Sequence, residues 1–336
     1  MKNHKVLITG ITGMVGSHLL DLLVNTNSKI YGLYRSSSKL DNIAHHSKKI
    51  NERKVNLIFG DLRDPISIEN AIIKIKPDQV YHLAAQSYPA TSFTNPLETF
   101  DTNINGTVTL LEALRRHSIN SKIHICSSSE VYGRVSKKFV PIKESTPFHP
   151  ASPYAISKVG TDLNAKFYAE AYNMNIFITR MFTHTGPRRT DFFHESSFAK
   201  QIALIENKII KPSLKCGNLN SMRTYADVRD AVNAYYLLMN SKKTKKGDIF
   251  NIGGDYSCTV GDTLKFLIKN STVKNIKIII DKKRLRPIDA DLQIPNIEKF
   301  KSILTWKKKY SYSDTMLDLL EFWRKKIKIN NEYLVR

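Results

Sequence analysis

Short runs of β-branched and aliphatic residues recur through the first half of the chain, and most are followed by apolar residues at helical spacing. Residues 6–9 (VLIT) form the first run, a glycine-bearing turn follows, and apolar positions in 15–24 repeat at a helical period. Further strand-like runs stand at 29–34, 55–59, 79–83 and 122–126. Asp64-Pro65 pairs an N-cap with a proline at the first helical position, which opens a helix through about Ile75. Residues 96–117 read as one longer helix. Strands alternating with helices predict right-handed parallel crossovers, hence an α/β protein built on a doubly wound parallel sheet.

After Pro153 the pattern continues with a helix to about Asn173 and a strand near 175–180, and beyond Thr183 the alternation degrades. The division this suggests is a sheet domain over 1–180, to which 227–255 returns, and a smaller mixed α/β substrate-binding lobe over 181–226 and 256–336. There is no internal repeat and no low-complexity linker.

Composition narrows the function classes. The chain has 336 residues, 41% hydrophobic and 24% charged, which suits a packed globular protein and excludes a disordered or collagen-like one. Subtracting 30 acidic from 52 basic residues leaves +22, a charge that suits nucleic acid, an anionic membrane surface or small polyanions. The basic runs, such as 242–246 and 307–309, are scattered, and no nucleic-acid-binding signature accompanies them. A solvated surface is the expectation, without a nucleic-acid partner. No run approaches the roughly 20 apolar residues of a spanning helix, so no membrane partner is expected. The opening MKNHKVLITG leads straight into a strand without an apolar signal region, and Cys126, Cys216 and Cys258 are odd in number and far apart. A reducing cytoplasm fits, and no metal site is suggested.

The candidate chemistry starts at Gly10, Gly13 and Gly16. This GxxGxxG sits between a strand and a helix, where small residues permit a tight turn, close approach of the backbone to a pyrophosphate, and helix-to-sheet packing. The helix N-terminus then offers free N–H groups to phosphates. Thr12, Met14 and Val15 lie within the same turn, and the sheet is accordingly Rossmann-like. At the end of the second strand, where a carboxylate would favour NAD, the chain reads Tyr34-Arg35-Ser36-Ser37-Ser38. Arg35 and Ser36 suit a 2′-phosphate, so NADP(H) is the expected cofactor. Asp61 and Leu62, after the third strand, are candidates to face the adenine.

Tyr154 and Lys158 stand four apart on the helix opened by Pro153, so both project from one face. The ammonium is expected to lower the phenol's pKa until it can take a proton from an alcohol. The fifth strand ends in Cys126-Ser127-Ser128-Ser129-Glu130, at the sheet edge where ligands sit in open α/β sheets.

Taken together, the segments GITGMVGSHL, YRSSS, GDLRD, HLAAQS, SSSEVYG, TPFHPASPYAISK, FTHTGPRR and GNLNSMRTYADVRDAV resemble the extended short-chain dehydrogenase/reductase family. The likeness is to its nucleotide-sugar 4,6-dehydratases of the GDP-mannose type, and it runs through nearly the whole chain. It implies catalytic roles for Ser128, Glu130, Tyr154 and Lys158, with the glutamate removing a C5 proton that a reductase has no need to remove. It implies cofactor contacts from Leu83, Ala84, Ala85 and Ser87 of HLAAQS and from His184 and Arg189. It implies substrate contacts from Ser87, Ser128, Ser129, Glu130, Thr183, Lys200, Arg223 and Arg286, the last three being cations for the diphosphate. The family usually has threonine at the Ser128 position and asparagine at the Thr183 position. The second departure puts a contact to the sugar or phosphate in doubt and admits a GDP-heptose substrate, such as GDP-D-glycero-D-manno-heptose, beside GDP-mannose. The resemblance further implies a homodimer or homotetramer. An NADPH-dependent reductase or epimerase on the same fold is the alternative, and a non-catalytic nucleic-acid or regulatory module is a third.

Overall fold

A computed structural model describes residues 4–329. Thirteen strands appear among them in chain order: β1 Lys5–Thr9, β2 Lys29–Tyr34, β3 Val55–Phe59, β4 Gln79–His82, β5 Lys122–Cys126, β6 Ile176–Met181, β7 His184–Thr185, β8 Ser213–Cys216, β9 Met222–Asp227, β10 Asp248–Ile252, β11 Tyr256–Thr259, β12 Lys277–Ile280 and β13 Leu292–Gln293. Seven form one sheet in the order β10-β6-β5-β4-β1-β2-β3, with every neighbouring pair parallel. The chain winds outward from β1 to β3 and then resumes on the other side of β1 at β4, so a switch point lies between β1 and β4.

Both faces of this sheet are covered, which is why its strands are apolar runs rather than alternating ones. Val6 and Ile8 of β1 pack in one layer with Leu19, Leu20 and Leu23 of the helix Met14–Leu23 and with Tyr235 and Leu238 of the helix Val228–Asn240. Leu7 faces the other way, among Ile68 and Ile72 of the helix Pro65–Ile75, Leu110 and Leu114 of Gly106–Arg116, and Ala165 of Pro153–Ala171. Phe300, from the helix Glu298–Ile303, joins the first layer although the sequence division assigns it to the smaller lobe.

The helix expected over 96–117 is three pieces. Pro96–Phe100 and Gly106–Arg116 are α-helical, and Asp101–Asn105 between them is a π-helical turn. The extra residue turns Asn103 inward. Its side chain accepts from the Gln86 N–H at 2.8 Å and donates to the Gln86 carbonyl at 2.9 Å and to Ser157 Oγ at 2.8 Å. Apolar periodicity cannot register one added backbone unit.

The smaller lobe holds the sheet β11-β9-β13, with β7 paired to β9, and the parallel pair β12-β8. Its core joins Phe198 and Ile202 of the helix His194–Glu206, Leu264 and Leu267 of Val260–Lys269, and Met316, Leu319 and Trp323 of Tyr312–Ile329. Among the described residues no helix is long and apolar enough to cross a membrane.

Candidate active site

A cleft of about 770 Å³ runs along the carboxyl ends of the parallel strands. Gly10 follows β1, Arg35 follows β2, Asp61 comes shortly after β3, Leu83 follows β4, Ser127 follows β5 and Phe182 follows β6, and all line it. The glycine turn forms its floor. Gly10 has φ +72°, a left-handed conformation, and a Cβ there would stand 2.9 Å from the Ala84 backbone. At Gly16 a Cβ would stand 2.2 Å from the Gly10 carbonyl oxygen, so only glycine lets the helix Met14–Leu23 pack so closely on the turn. No side chain caps that helix, leaving its N-terminus to the cleft.

The candidates inferred from the sequence gather here. Thr12, Gly13, Met14, Val15, Leu62, Ala84, Ala85 and Ser87 all lie on the wall, as do Ser128, Ser129, Glu130, Tyr154, Lys158, Thr183, His184, Arg189, Lys200, Arg223 and Arg286. Ser36 is the exception. The Arg35 N–H donates to Ser38 Oγ at 3.0 Å, and the turn this closes leaves Ser36 exposed at its tip while Ser37 and Ser38 reach the wall in its place. Asp61 is held by Arg63, at 3.3 Å from Nε and 3.1 Å from Nη2. Arg63 keeps its carboxyl below the usual range against the opposing effect of burial.

The helix Pro153–Ala171 is set by the Ser152 side chain, which caps the Ala155 N–H at 3.0 Å, and by Pro153 in its first turn. It buries Tyr154 and Lys158. Lys158 Nζ donates to the Cys126 carbonyl at 2.6 Å, and burial lowers its pKa. Burial opposes the acidification of the phenol expected from this ammonium. Burial raises the Tyr154 pKa strongly, and the groups that pull it back are the Ser128 hydroxyl and, at longer range, Arg189. The bond from Lys158 ties the helix to the end of β5.

Ser128 adopts an extended backbone and accepts the Glu130 N–H at 3.1 Å, nucleating the short helix Ser129–Tyr132 that presents Glu130 to the cleft. His184 Nδ1 lies 3.1 Å from the Phe182 carbonyl, and burial, with Arg189, lowers its pKa to about 4, so the ring is neutral. In the lobe wall, Lys200 meets Asp191 at 2.7 Å and Arg286 meets Asp289 at 3.5 Å. Arg223 donates to the Met222 and Ala290 carbonyls at 2.9 and 2.6 Å. These cations come from separate elements yet share one wall.

Several wall residues escaped the sequence reading. Tyr88, Phe192 and Phe193 form an aromatic cluster with ring centroids 4.8 and 5.5 Å from Tyr88, and the Arg189 guanidinium lies 3.2 Å above the Phe193 ring. The aromatic pair after GPRR was the available signal. His194 and Glu195 follow it. Trp323 and Lys326, brought in by the helix Tyr312–Ile329, had no local signal at all. Asp21, His45 and His46 also cluster, with one Asp21 oxygen 2.7 Å from both rings and the other 2.7 Å from Arg188, which pins the turn carrying Arg189 to the glycine-turn helix.

Comparison with known proteins agrees with this geometry. The family profile described as GDP-mannose 4,6 dehydratase matches residues 7–319. The chain is similar to GDP-mannose 4,6 dehydratase 1 of Arabidopsis thaliana, 33% identical over 317 residues, covering 91% of this chain and 86% of that protein. Among solved structures it is similar to UDP-glucose 4-epimerase of Thermotoga maritima with UDP-glucose, at TM-score 0.82 and 26% identity over 96% of this chain and 99% of that one. It also matches RMD of Pseudomonas aeruginosa complexed with NADPH, at TM-score 0.80 and 24% identity over 96% and 100%.

Proposed function

From its membership of the GDP-mannose 4,6-dehydratase family, to which the chain belongs over residues 7–319, we propose that this nucleotide-sugar 4,6-dehydratase acts on a GDP-linked manno-configured sugar. The substrate is GDP-mannose or GDP-D-glycero-D-manno-heptose, the product its 4-keto-6-deoxy derivative, and the cofactor NADP. The observation that carries the reading is the shared cleft wall of Ser128, Glu130, Tyr154 and Lys158, with Lys200, Arg223 and Arg286 on the same cleft.

The residues present fit NADP. The Gly10 and Gly16 positions leave no room for a side chain and keep the helix N-terminus open to a pyrophosphate, and Arg35 with Ser37 and Ser38 suits a 2′-phosphate where a carboxylate would repel it. When bound, the nicotinamide would supply a reversible hydride acceptor, holding the C4 hydride until it is delivered to C6, so the reaction has no net redox change. Accepting the C4 hydroxyl proton requires Tyr154 as phenolate, the form that the Ser128 hydroxyl and Arg189 favour against burial, and Ser128 donates a hydrogen bond to the same sugar oxygen. The resulting ketone acidifies the C5 proton, which the Glu130 carboxylate removes. The proton acquired by Glu130 then passes to the departing C6 hydroxyl and water leaves; as the hydride reaches C6, C5 takes up a proton, which balances the one released from the C4 hydroxyl to Tyr154. Lys200, Arg223 and Arg286 neutralise the diphosphate.

Incubating the protein with each GDP-sugar, without added reductant, and following the product by mass spectrometry tests this. Loss of one water from the sugar is expected; stoichiometric NADPH consumption without dehydration would defeat it.

A homodimer is part of the proposal. Ile156, Leu163 and Phe167 are exposed on the outer face of the helix Pro153–Ala171, with Leu97 exposed on the neighbouring helix. Light scattering behind size exclusion should give twice the chain mass, and a Phe167→Glu variant should give the chain mass. The three free thiols accord with a cytoplasmic location.

A further inference from the structure

The helix His194–Glu206 starts on the cleft wall with a histidine and a glutamate that the mechanism above does not use. Glu195 is wholly buried, yet neither of its carboxylate oxygens has a hydrogen bond among the described residues. Its neighbours stop short. Arg189 Nε, also without a hydrogen bond, is 3.5 Å from Oε1, and His194 Nδ1 is 3.4 Å from Oε2. Burial pushes the Glu195 carboxyl up, but His194 and Arg189 more than offset it, so the group is anionic at neutral pH. An ionised carboxylate offers about four acceptor sites, and leaving them unfilled away from water is costly.

The Thr185 hydroxyl and the Glu195 backbone N–H also favour the anion, and Thr185 Oγ1 is likewise without a hydrogen bond among the described residues. The guanidinium of Arg189 sits over the Phe193 ring, 3.2 Å from its centroid, and does not form the two-pronged pair that Arg180 makes with Asp162 at 2.8 Å on both prongs. His194 sits at the end of a chain of hydroxyls, and Thr263 Oγ1 within it also reaches the Thr259 carbonyl at 3.4 Å and Cys258 Sγ at 3.5 Å. Tyr312 Oη donates to Thr263 Oγ1 at 3.0 Å, and Thr263 Oγ1 donates to Tyr225 Oη at 3.2 Å. The single Tyr225 proton is then left for His194 Nε2, 2.7 Å away. The Glu195 carboxylate, 3.4 Å from Nδ1, favours the tautomer in which Nδ1 carries the ring proton and Nε2 accepts from Tyr225. None of these donors closes a hydrogen bond on either oxygen, so acceptor capacity remains on both.

A phosphate is repelled by such a carboxylate, and a metal cation is opposed by Arg189 and the Nδ1–H. Neutral hydroxyl donors remain. We propose that Glu195 is a specificity-determining residue that accepts hydrogen bonds from adjacent hydroxyls of the glycosyl unit, while Lys200, Arg223 and Arg286 on the same cleft take the diphosphate. This rests on the nucleotide-sugar dehydratase reading. The hydroxyls belong either to C2 and C3 of the pyranose ring or to the longer side chain of a heptose.

The test is Glu195→Gln, which keeps the shape and halves the acceptor set, with Glu195→Asp as the charge-retaining control. Steady-state dehydration of GDP-mannose and GDP-D-glycero-D-manno-heptose is measured beside calorimetric binding of GDP alone. Glu195→Gln should raise KM about 10- to 100-fold, the size of a lost charge-assisted hydrogen bond, and leave GDP binding unchanged. Glu195→Asp should recover part of the loss. A KM rise with both sugars assigns the ring hydroxyls, and a rise with the heptose alone assigns its side chain. Wild-type KM values for both sugars in Glu195→Gln would overturn the proposal, as would an equal loss of GDP affinity, which would make Glu195 a prop for the phosphate cations. Should Glu195→Gln not fold, the wild type is challenged with GDP-sugars lacking those hydroxyls, and undiminished affinity for all of them has the same overturning force. A wild type that dehydrates neither sugar takes down the dehydratase reading itself, and the role of Glu195 with it.

Discussion

Replacing Asp162 with Asn strikes the joint that fastens the catalytic helix to the sheet. Asp162 lies on the helix that carries Tyr154 and Lys158, and its two oxygens accept from Arg180 Nη2 and Nε, both at 2.8 Å. Only 1% of the Asp162 side chain and 4% of the Arg180 side chain reach solvent. The same guanidinium donates to Tyr132 Oη at 2.9 Å and the Glu144 carbonyl at 2.8 Å, and Tyr132 Oη donates to Asn251 Oδ1 at 2.7 Å. One cation thus links the helix, β6, the turn that presents Glu130, and β10. Removing its counter-charge leaves a buried guanidinium under-compensated, a loss of about 3–5 kcal/mol. The exposed pair Lys166–Glu170 on the same helix, 3.8 Å apart, should contribute less than about 0.5 kcal/mol by comparison. Against a typical total of about 5–15 kcal/mol, Asp162→Asn should still fold but unfold at much lower urea. The double variant Asp162→Leu with Arg180→Met removes both charges and their desolvation cost, so it should recover much of the loss. Urea unfolding of the full chain followed by circular dichroism measures all three. A loss below about 1 kcal/mol in Asp162→Asn, or a double variant no more stable than the single one, refutes the reasoning.

Glu130→Gln should cut kcat about 10²- to 10⁴-fold with GDP-sugar binding retained, measured by mass spectrometry and calorimetry; dehydration within tenfold of wild type removes its assignment as base. Arg35→Glu should weaken NADP(H) relative to NAD(H) by about tenfold or more in a fluorescence titration, and an unchanged ratio argues against a 2′-phosphate contact. Stability should fall on mild acidification, because burial lowers the pKa of His18 to about 4 and of His82 and His124 to about 3. Below about pH 6.5 the unfolded chain binds protons that the folded rings refuse, so each ring subtracts about 1.4 kcal/mol by pH 5.5 and more as the pH falls toward 4. Thermal unfolding from pH 8 to pH 5 should show the midpoint dropping below pH 6.5, and a level midpoint would mean that these rings are charged in the folded state.

Local order carried much of the architecture. The runs at 29–34, 55–59 and 122–126 are strands at those limits, and the Asp64-Pro65 helix runs from Pro65 to Ile75. These elements are written in neighbouring residues: a strand buried on both faces must be apolar throughout, and a helix start needs its cap within a few positions. Gly10 and Gly16 are legible for the same reason, since the turn they permit is closed by residues within seven positions. The Tyr154-Lys158 spacing placed both side chains on one helical face.

What no local pattern holds is the environment that side chains find across the chain. The partner of Lys158 is the Cys126 carbonyl, 32 positions away, and the burial that raises the phenol's pKa is set by the surrounding fold. One added backbone unit at Asp101–Asn105 aimed Asn103 inward without disturbing the apolar rhythm. Glu195 meets Arg189, which sits over Phe193, and His194, which a hydroxyl chain links to Tyr312, only in the folded chain. Desolvation, stacking and proton direction are properties of assembled neighbours, and those neighbours meet only when distant segments pack.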